Sequence, residues 1–317
     1  PPSGGDFVHK GAVARSGGTK LRLRELELGK VDIVMLLALV GVNRVCKSLD
    51  LSGNPGAASV EAGVAIGEML RRNRTLSKLQ LSGTLRIKGK APVLSAGQDE
   101  RAHVDKKKAG DKGGDKGGDS PDRPRSAQAE AFTAIAAALK TNTTLRELDV
   151  HGNGLQEEAV LALGESLSSN VGLVRLTVGR RGLCKLPLSD LRGTTGKKSI
   201  DLSRAGLGAE DGGIIGRLIA SNGTLTSLDL SWNAAPARFF HAIGGGLVSN
   251  AALLSLNLAY NSVGAAAARI IADGLRVNAA LRQLDLTAEP SCGIGAVGAV
   301  ALAEALKDAL GLEELRL

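Results

Sequence analysis

The residues able to do chemistry are few in this chain and poorly spaced for it. Four histidines and three cysteines are scattered through 317 residues: His9, His103, His151 and His241, and Cys46, Cys184 and Cys292. A zinc site needs thiolates or imidazoles a few residues apart, and a cysteine nucleophile needs a base nearby. Neither pattern occurs, so no metal, cofactor or catalytic group is expected, and the chain reads as a non-enzyme. The string Gly293-Ile294-Gly295-Ala296-Val297-Gly298 imitates a dinucleotide loop, but no complete nucleotide-binding unit accompanies it. Its small residues are better explained by close helix packing. What remains is recognition chemistry. Arg180, Arg204, Trp232 and Tyr260 occupy one recurring position in four successive copies of a repeated segment, which makes the single Trp and single Tyr neighbours beside two arginines. These side chains dominate protein interfaces because they bury large area and still hydrogen-bond. Ser203 and Ser231, one position earlier, would complete the patch, and Asp201 and Asp229 stand three positions earlier. The plainer alternative is that the rings only cover the first turn after a strand and the aspartates are solvated surface.

The element that must position these residues is a repeat. LTSLDLSWN begins at Leu225, LLSLNLAYN at Leu253 and LRQLDLTAE at Leu281, two steps of 28 residues. LRELDVHGN at Leu145 and LVRLTVGRR at Leu173 are again 28 apart. Further copies start at Leu23, Cys46, Leu76, Lys197 and Leu312. In each, two leucine-type residues alternate with polar ones, the pattern of a half-buried strand. Segments such as Ala265 to Leu275 and Ala296 to Leu306 follow with helical spacing, and the apolar run from Val31 to Val42 also reads as a helix. One strand and one helix cannot bury their apolar sides alone; stacked copies can.

Two asparagine rows punctuate the copies. Asn54, Asn153, Asn233 and Asn261 lie eight residues after their starts, and Asn73, Asn142, Asn170, Asn222, Asn250 and Asn278 lie three before the next. The second row is expected to end helices in the left-handed conformation. Asn73, Asn142 and Asn222 also head glycosylation-type triplets, but the repeat already accounts for them.

This pattern, L-x-x-L-x-L-x-x-N at a period of 28, resembles the leucine-rich repeat family, in its ribonuclease-inhibitor-like subclass, along nearly the whole chain. The resemblance implies an α/β solenoid, a horseshoe with a parallel concave β-sheet and convex helices. It implies a ladder in which Asn54, Asn153, Asn233 and Asn261 satisfy backbone groups at the inward turn. It also implies a protein partner, bound on the concave face near Arg180 to Tyr260. Two other activities are similar by resemblance: GTPase activation of the kind carried out by Ran GTPase-activating proteins, and the sensing region of a larger intracellular immune-type receptor. A ribonuclease inhibitor proper fits poorly, since it uses many cysteines and an acidic surface. The chain departs from the pattern in three places: Arg181 replaces the ladder Asn, the step from Leu173 to Lys197 is short, and a long insertion separates Leu76 from Leu145.

Composition bounds the rest. Hydrophobic residues are 43% and aromatics 2%, so the core must be aliphatic, as in repetitive packing. The net charge of +8 raises nucleic acid as a partner, but much of the excess lies in one Lys-rich stretch without interleaved aromatics, which argues against it. That stretch, about 86–126, includes GDKGGDKGGDSPDRPR and is expected to be disordered inside one repeat, a spacer in the favoured reading and a regulatory or partner-binding arm in the other. Roughly three doublings of loop length cost about 2 kcal/mol, less than a few buried leucines contribute at about 1.5–3 kcal/mol each. Residues 1–20 are expected to be a flexible segment and 21–317 the solenoid. The last strand stops at Leu317 with an open edge, so a further segment or a partner is expected to cover it. No apolar run is long enough to span a bilayer, and the scattered cysteines suggest a reducing, cytoplasmic setting.

Overall fold

The computed structural model describes residues 19–83, 123–288, 293–309 and 311–317. The expected flexible start and spacer, with His9, His103 and Cys292, therefore fall largely or wholly outside the described residues.

The repeats begin with three-residue strands whose central Leu or Ile is buried, or half-buried in the terminal strands at Leu21 and Leu315, and a two-residue strand lies within the short repeat. These strands are β1 (Lys20–Arg22), β2 (Ser48–Asp50), β3 (Lys78–Gln80), β4 (Glu147–Asp149), β5 (Arg175–Thr177), β6 (Leu186–Pro187), β7 (Ser199–Asp201), β8 (Ser227–Asp229), β9 (Ser255–Asn257), β10 (Gln283–Asp285) and β11 (Glu314–Arg316). The helices are α1 (Lys30–Val42), α2 (Val60–Arg72), α3 (Arg123–Leu139), α4 (Glu157–Ser169), α5 (Leu188–Leu191), α6 (Ala209–Ile219), α7 (Ala237–Ser249), α8 (Ala265–Val277) and α9 (Gly295–Ala305). Strands form one layer and helices the other, with a single core between them that is aliphatic except for the fully buried Phe132, Phe239 and Phe240, which the expectation of a wholly aliphatic core missed. Equivalent leucines pair across neighbouring strands, as Leu228 does with Leu256 and Leu256 with Leu284. This is an α/β leucine-rich-repeat solenoid.

The structure corrects the sequence reading at several points. The first copy is phased on Leu21 and Leu23 and not on a start at Leu23, because Leu21 pairs with Leu49. Leu21 and Leu23 therefore fill the alternating core positions that Leu49 and Leu51 fill one repeat later. The solenoid accordingly begins by Lys20. Arg123 to Ser126, counted with the spacer, already belong to α3. The sheet is also not continuous. It divides into one run ordered β1 to β6 and a second from β7 to β11. Strand β6 pairs antiparallel with β5, through Leu186 opposite Leu176. The short step supplies the reason: the chain doubles back onto β5 and has room only for the single turn α5 before β7. Pro187 has no N–H to offer, as suits a strand at a sheet edge. The helix layer bridges the division, since α4 packs directly on α6, with Gly164 against Arg217 and Gly213 against Val160.

Both asparagine rows join repeats. The Asn261 amide donates to Leu230 and Leu258 carbonyls and accepts from the N–H groups of Asn233 and Ala235. Asn54, Asn153 and Asn233 make equivalent bonds. In the second row, Asn250 donates to Ile219 and Asn222 carbonyls and accepts from Ala252 and Leu253. Its backbone is extended, with φ −80 and ψ 127, and Asn73, Asn170 and Asn278 are similar. The expected left-handed cap is therefore absent from these helix ends: the side chain, not the backbone, turns the chain. Asn73, Asn142 and Asn222 are buried with their amides bonded, which removes them as glycan acceptors in the folded chain.

Asn261→Ala strands up to three buried backbone groups, since the Leu230 carbonyl keeps its bond from Asn233, and each costs about 1–3 kcal/mol when unpaired. Chemical denaturation is expected to show a loss of about 3 kcal/mol or more, against a small change for an exposed control such as Ser262→Ala.

Candidate functional site

The candidate site lies where strands β7, β8 and β9 end. In each of these repeats the residue four after the start folds its side chain back onto its own turn. Asp201, Asp229 and Asn257 accept from the N–H two residues on, at 2.8, 2.8 and 3.0 Å. Asp50, Asp149 and Asp285 do the same elsewhere. The acidic row is thus a row of side-chain-closed turns. Asp201 is held below the usual carboxylate range by its bonds from the Ser203 backbone and side chain.

Beyond each closed turn the backbone becomes left-handed. Arg204, Trp232 and Tyr260 have φ of 54, 60 and 55. Their N–H groups donate to the carbonyls of Ser231, Ala259 and Thr287 in the following repeat. The ladder therefore continues past the strands and spaces these turns at the strand separation of about 4.8 Å. Side chains at that spacing stack. Trp232 and Tyr260 lie with ring centroids 4.0 Å apart and planes inclined by 14°. The Arg204 guanidinium lies 5.1 Å from the Trp232 centroid. Trp232 is 44% and Tyr260 38% exposed.

The equivalent position holds Glu25, Gly53, Gly83 and Gly152 in earlier repeats, all with positive φ. A side chain there costs roughly 1 kcal/mol relative to glycine. The ring pair returns about 0.5–1.5 kcal/mol and the exposed cation–π contact about 0.5–1 kcal/mol. Three such costs against those two gains leave no surplus, so stability does not explain the column.

The remaining expected residues divide. Arg180 is exposed but lies on the other side of the sheet division, at the start of the loop 179–185, and does not join the column. Ser231 is 4% exposed, with its hydroxyl donating to Asp229, so it belongs under the turn and not in the patch. Ser203 is half-buried. Asp229 is committed at both oxygens, the second accepting from Asn257. Leu183, 66% exposed in the loop, was missed because the short repeat gives it no periodic position. Beside the loop, Asp211 lies in the first turn of α6 and is 3% exposed, with Oδ1 unpartnered among the described residues and Oδ2 accepting from the Gly208 N–H. Burial pushes its carboxyl up to about 6, helped by the neighbouring Glu210 charge and opposed by the Gly208 bond. Burial, aided by the Asp211 charge, pushes the Cys184 thiol up to about 11, so it is a poor nucleophile at neutral pH. Of the glycine string, only Gly298 makes a close helix approach, to Ala268 and Ala265 of α8.

The family profile described as Leucine Rich repeat matches residues 141–164 and 221–234. No curated protein sequence matches the chain. Solved structures with similarity include leiomodin-1 actin-binding site 2, at 18% identity and a TM-score of 0.32, covering 55% of this chain and 87% of that one. The tropomodulin C-terminal domain of Caenorhabditis elegans follows at 11% and 0.30, covering 57% and 92%. A leucine-rich repeat-containing protein of Legionella pneumophila, LegL7, aligns at 13% and 0.27, covering 92% and 89%.

Two outcomes follow from the site itself. Trp232→Gly removes the ring and its strain together, so its melting point is expected to stay near that of the parent, whereas Trp232→Val keeps a left-handed branched residue without stacking and melts lower. Asp211 binds its proton more tightly folded than unfolded. Its contribution is therefore complete below the ordinary value of 3.8 and lost as pH rises through about 6. Asp211→Asn is expected to flatten stability across that window and raise it at neutral pH, as read by denaturation at stepped pH.

Proposed function

We propose that this leucine-rich-repeat solenoid works by binding another protein, not by catalysis, with its contact on the strand side and centred on Arg204, Trp232 and Tyr260. The observation that carries the reading is the exposed Arg–Trp–Tyr column built on left-handed residues where stability alone favours glycine. Tolerated strain at an exposed position points to use. Arg, Trp and Tyr are the side chains that anchor interfaces, and a rigid parallel ladder holds them ready, so little conformational freedom is lost on binding. Arg180 and Leu183 extend the surface along the loop 179–185. The partner face is the concave one of the subclass the sequence resembles. A cytoplasmic setting belongs to the same proposal. Among the described residues, Cys46 and Cys184 are unpaired and no helix is long and apolar enough to cross a membrane.

The test is a quantitative pull-down with the full chain and with a double variant, Trp232→Gly with Tyr260→Gly, which retains the turn. A helix-side variant, Leu161→Glu, serves as control, since Leu161 is exposed on α4. The reading expects at least one partner to be lost with the double variant and kept with the control. Equal recovery of every partner by all three chains removes it.

A further inference from the structure

We infer that the rim running from Arg180 to Tyr260 takes an acidic protein segment that carries an apolar or aromatic side chain among its carboxylates. This rests on the protein-binding reading above and names the chemistry of the partner.

The first observation is that the short repeat brings its loop to the column. A side-chain carbon on Gly206 would stand 2.7 Å from Leu183 Cδ1, so the loop lies directly on the turn that follows Arg204. On its other side Gly182 lies against His151. The loop 179–185 is thus wedged between the turns of the repeats before and after it, and carries the exposed Arg180, Arg181 and Lys185.

The second observation is charge. The side chains of Arg180, Arg181 and Arg204 make no hydrogen bond or ion pair among the described residues, apart from the contact of Arg204 with the Trp232 ring. Other arginines on the strand face are paired, as Arg175 is with Glu147 and Arg316 with Glu314 and Asp285, although Arg22 of β1 is not among the described residues. The carboxylates nearest the column are spent otherwise: Asp201 and Asp229 close their turns. Asp211 is buried under Gly179, and Glu210 is buried beside it. Asp201 and Asp229 keep their charge while closing those turns; the rim side chains left without a hydrogen-bond or ion-pair partner among the described residues are guanidiniums, fork-shaped groups suited to carboxylates.

The third observation separates peptide from nucleic acid. Single-stranded nucleic acid needs open aromatic faces on which bases stack. Tyr260 stacks on one face of Trp232 and the Arg204 guanidinium lies 5.1 Å from the Trp232 centroid, so the two rings are engaged with each other and do not form a row of separate open platforms for successive bases. Ring edges, one Tyr260 face and Leu183 remain. They suit an aliphatic or aromatic side chain held between flanking carboxylates.

The experiment pans a library of short random peptides against the full chain, with the chain carrying Trp232→Gly and Tyr260→Gly as counter-target. Trp232 is the only tryptophan, so its emission reads each selected peptide at the column. Expected are column-dependent peptides rich in Asp and Glu with one Leu, Phe or Trp. Arg180→Glu, Arg181→Glu and Arg204→Glu together are expected to weaken them by about tenfold or more. Far-ultraviolet circular dichroism verifies that the variant stays folded; if it does not, Arg180→Gln with Arg204→Gln takes its place. Neutral or basic peptides, acidic peptides that ignore the arginine changes, or no column-dependent peptide at all overturn the inference. So does an oligo-dT strand that shifts Trp232 emission where peptides do not. If the pull-down partner still depends on the column in any of these cases, protein binding stands and only the acidic chemistry fails.

Discussion

Everything in this structure depends on peptide groups at the repeat turns being satisfied by the next repeat. A short strand that turns inward leaves N–H and C=O groups away from water, and each one left unpaired costs a sizeable part of a protein's net stability. Asn261 answers this for two repeats at once, donating to carbonyls of both and accepting from the turn before it. Asn250 does the same at the far end of the helices. Leucines fill the space between the layers, but the amides set where one repeat sits on its neighbour, because a hydrogen bond is directional and hydrophobic burial is not.

That fixed seat has a consequence at the surface. Once the amides and closed turns lock the register, the left-handed residue of each repeat must lie directly over that of the next. Glycine meets the backbone requirement in three early repeats; Arg204, Trp232 and Tyr260 meet it at some cost and become a stack. No contact between the rings selects their position. The ladder places them, and the rings then gain what stacking offers.

Much of this was legible in the chain, and the failures share a physical character. The recurring leucines, the helices and the first asparagine row could be read because they answer burial, which leaves a periodic trace. The column of Arg204, Trp232 and Tyr260 could be read because it inherits that period. Ser231 could not, since a serine that caps a turn and one that faces solvent look identical in sequence. The second asparagine row suggested left-handed caps from residue type, whereas the amide side chains do the turning with an extended backbone. The first repeat was misplaced because LRLRELEL offers two phases of the same pattern, and only pairing with Leu49 chooses between them. Leu183, Asp211 and the antiparallel strand arise in the one repeat that breaks the period, where sequence reasoning based on periodicity has no purchase.

That broken repeat shows which layer bears the continuity of a solenoid. Losing a helix there does not separate the two halves, because α4 closes on α6 through glycines whose missing side chains admit Arg217 and Val160. The strand layer gives way instead: β6 folds back, Pro187 stands at the sheet edge, and the ladder resumes at β7. A parallel ladder contributes its bonds locally, so an interruption costs the few pairs at the break, whereas a gap between helices would expose apolar area along their whole length. The economical place for irregularity is therefore the strand side. There the interruption lets a loop rise onto the rim, between His151 and Gly206, beside the stack that the regular repeats build.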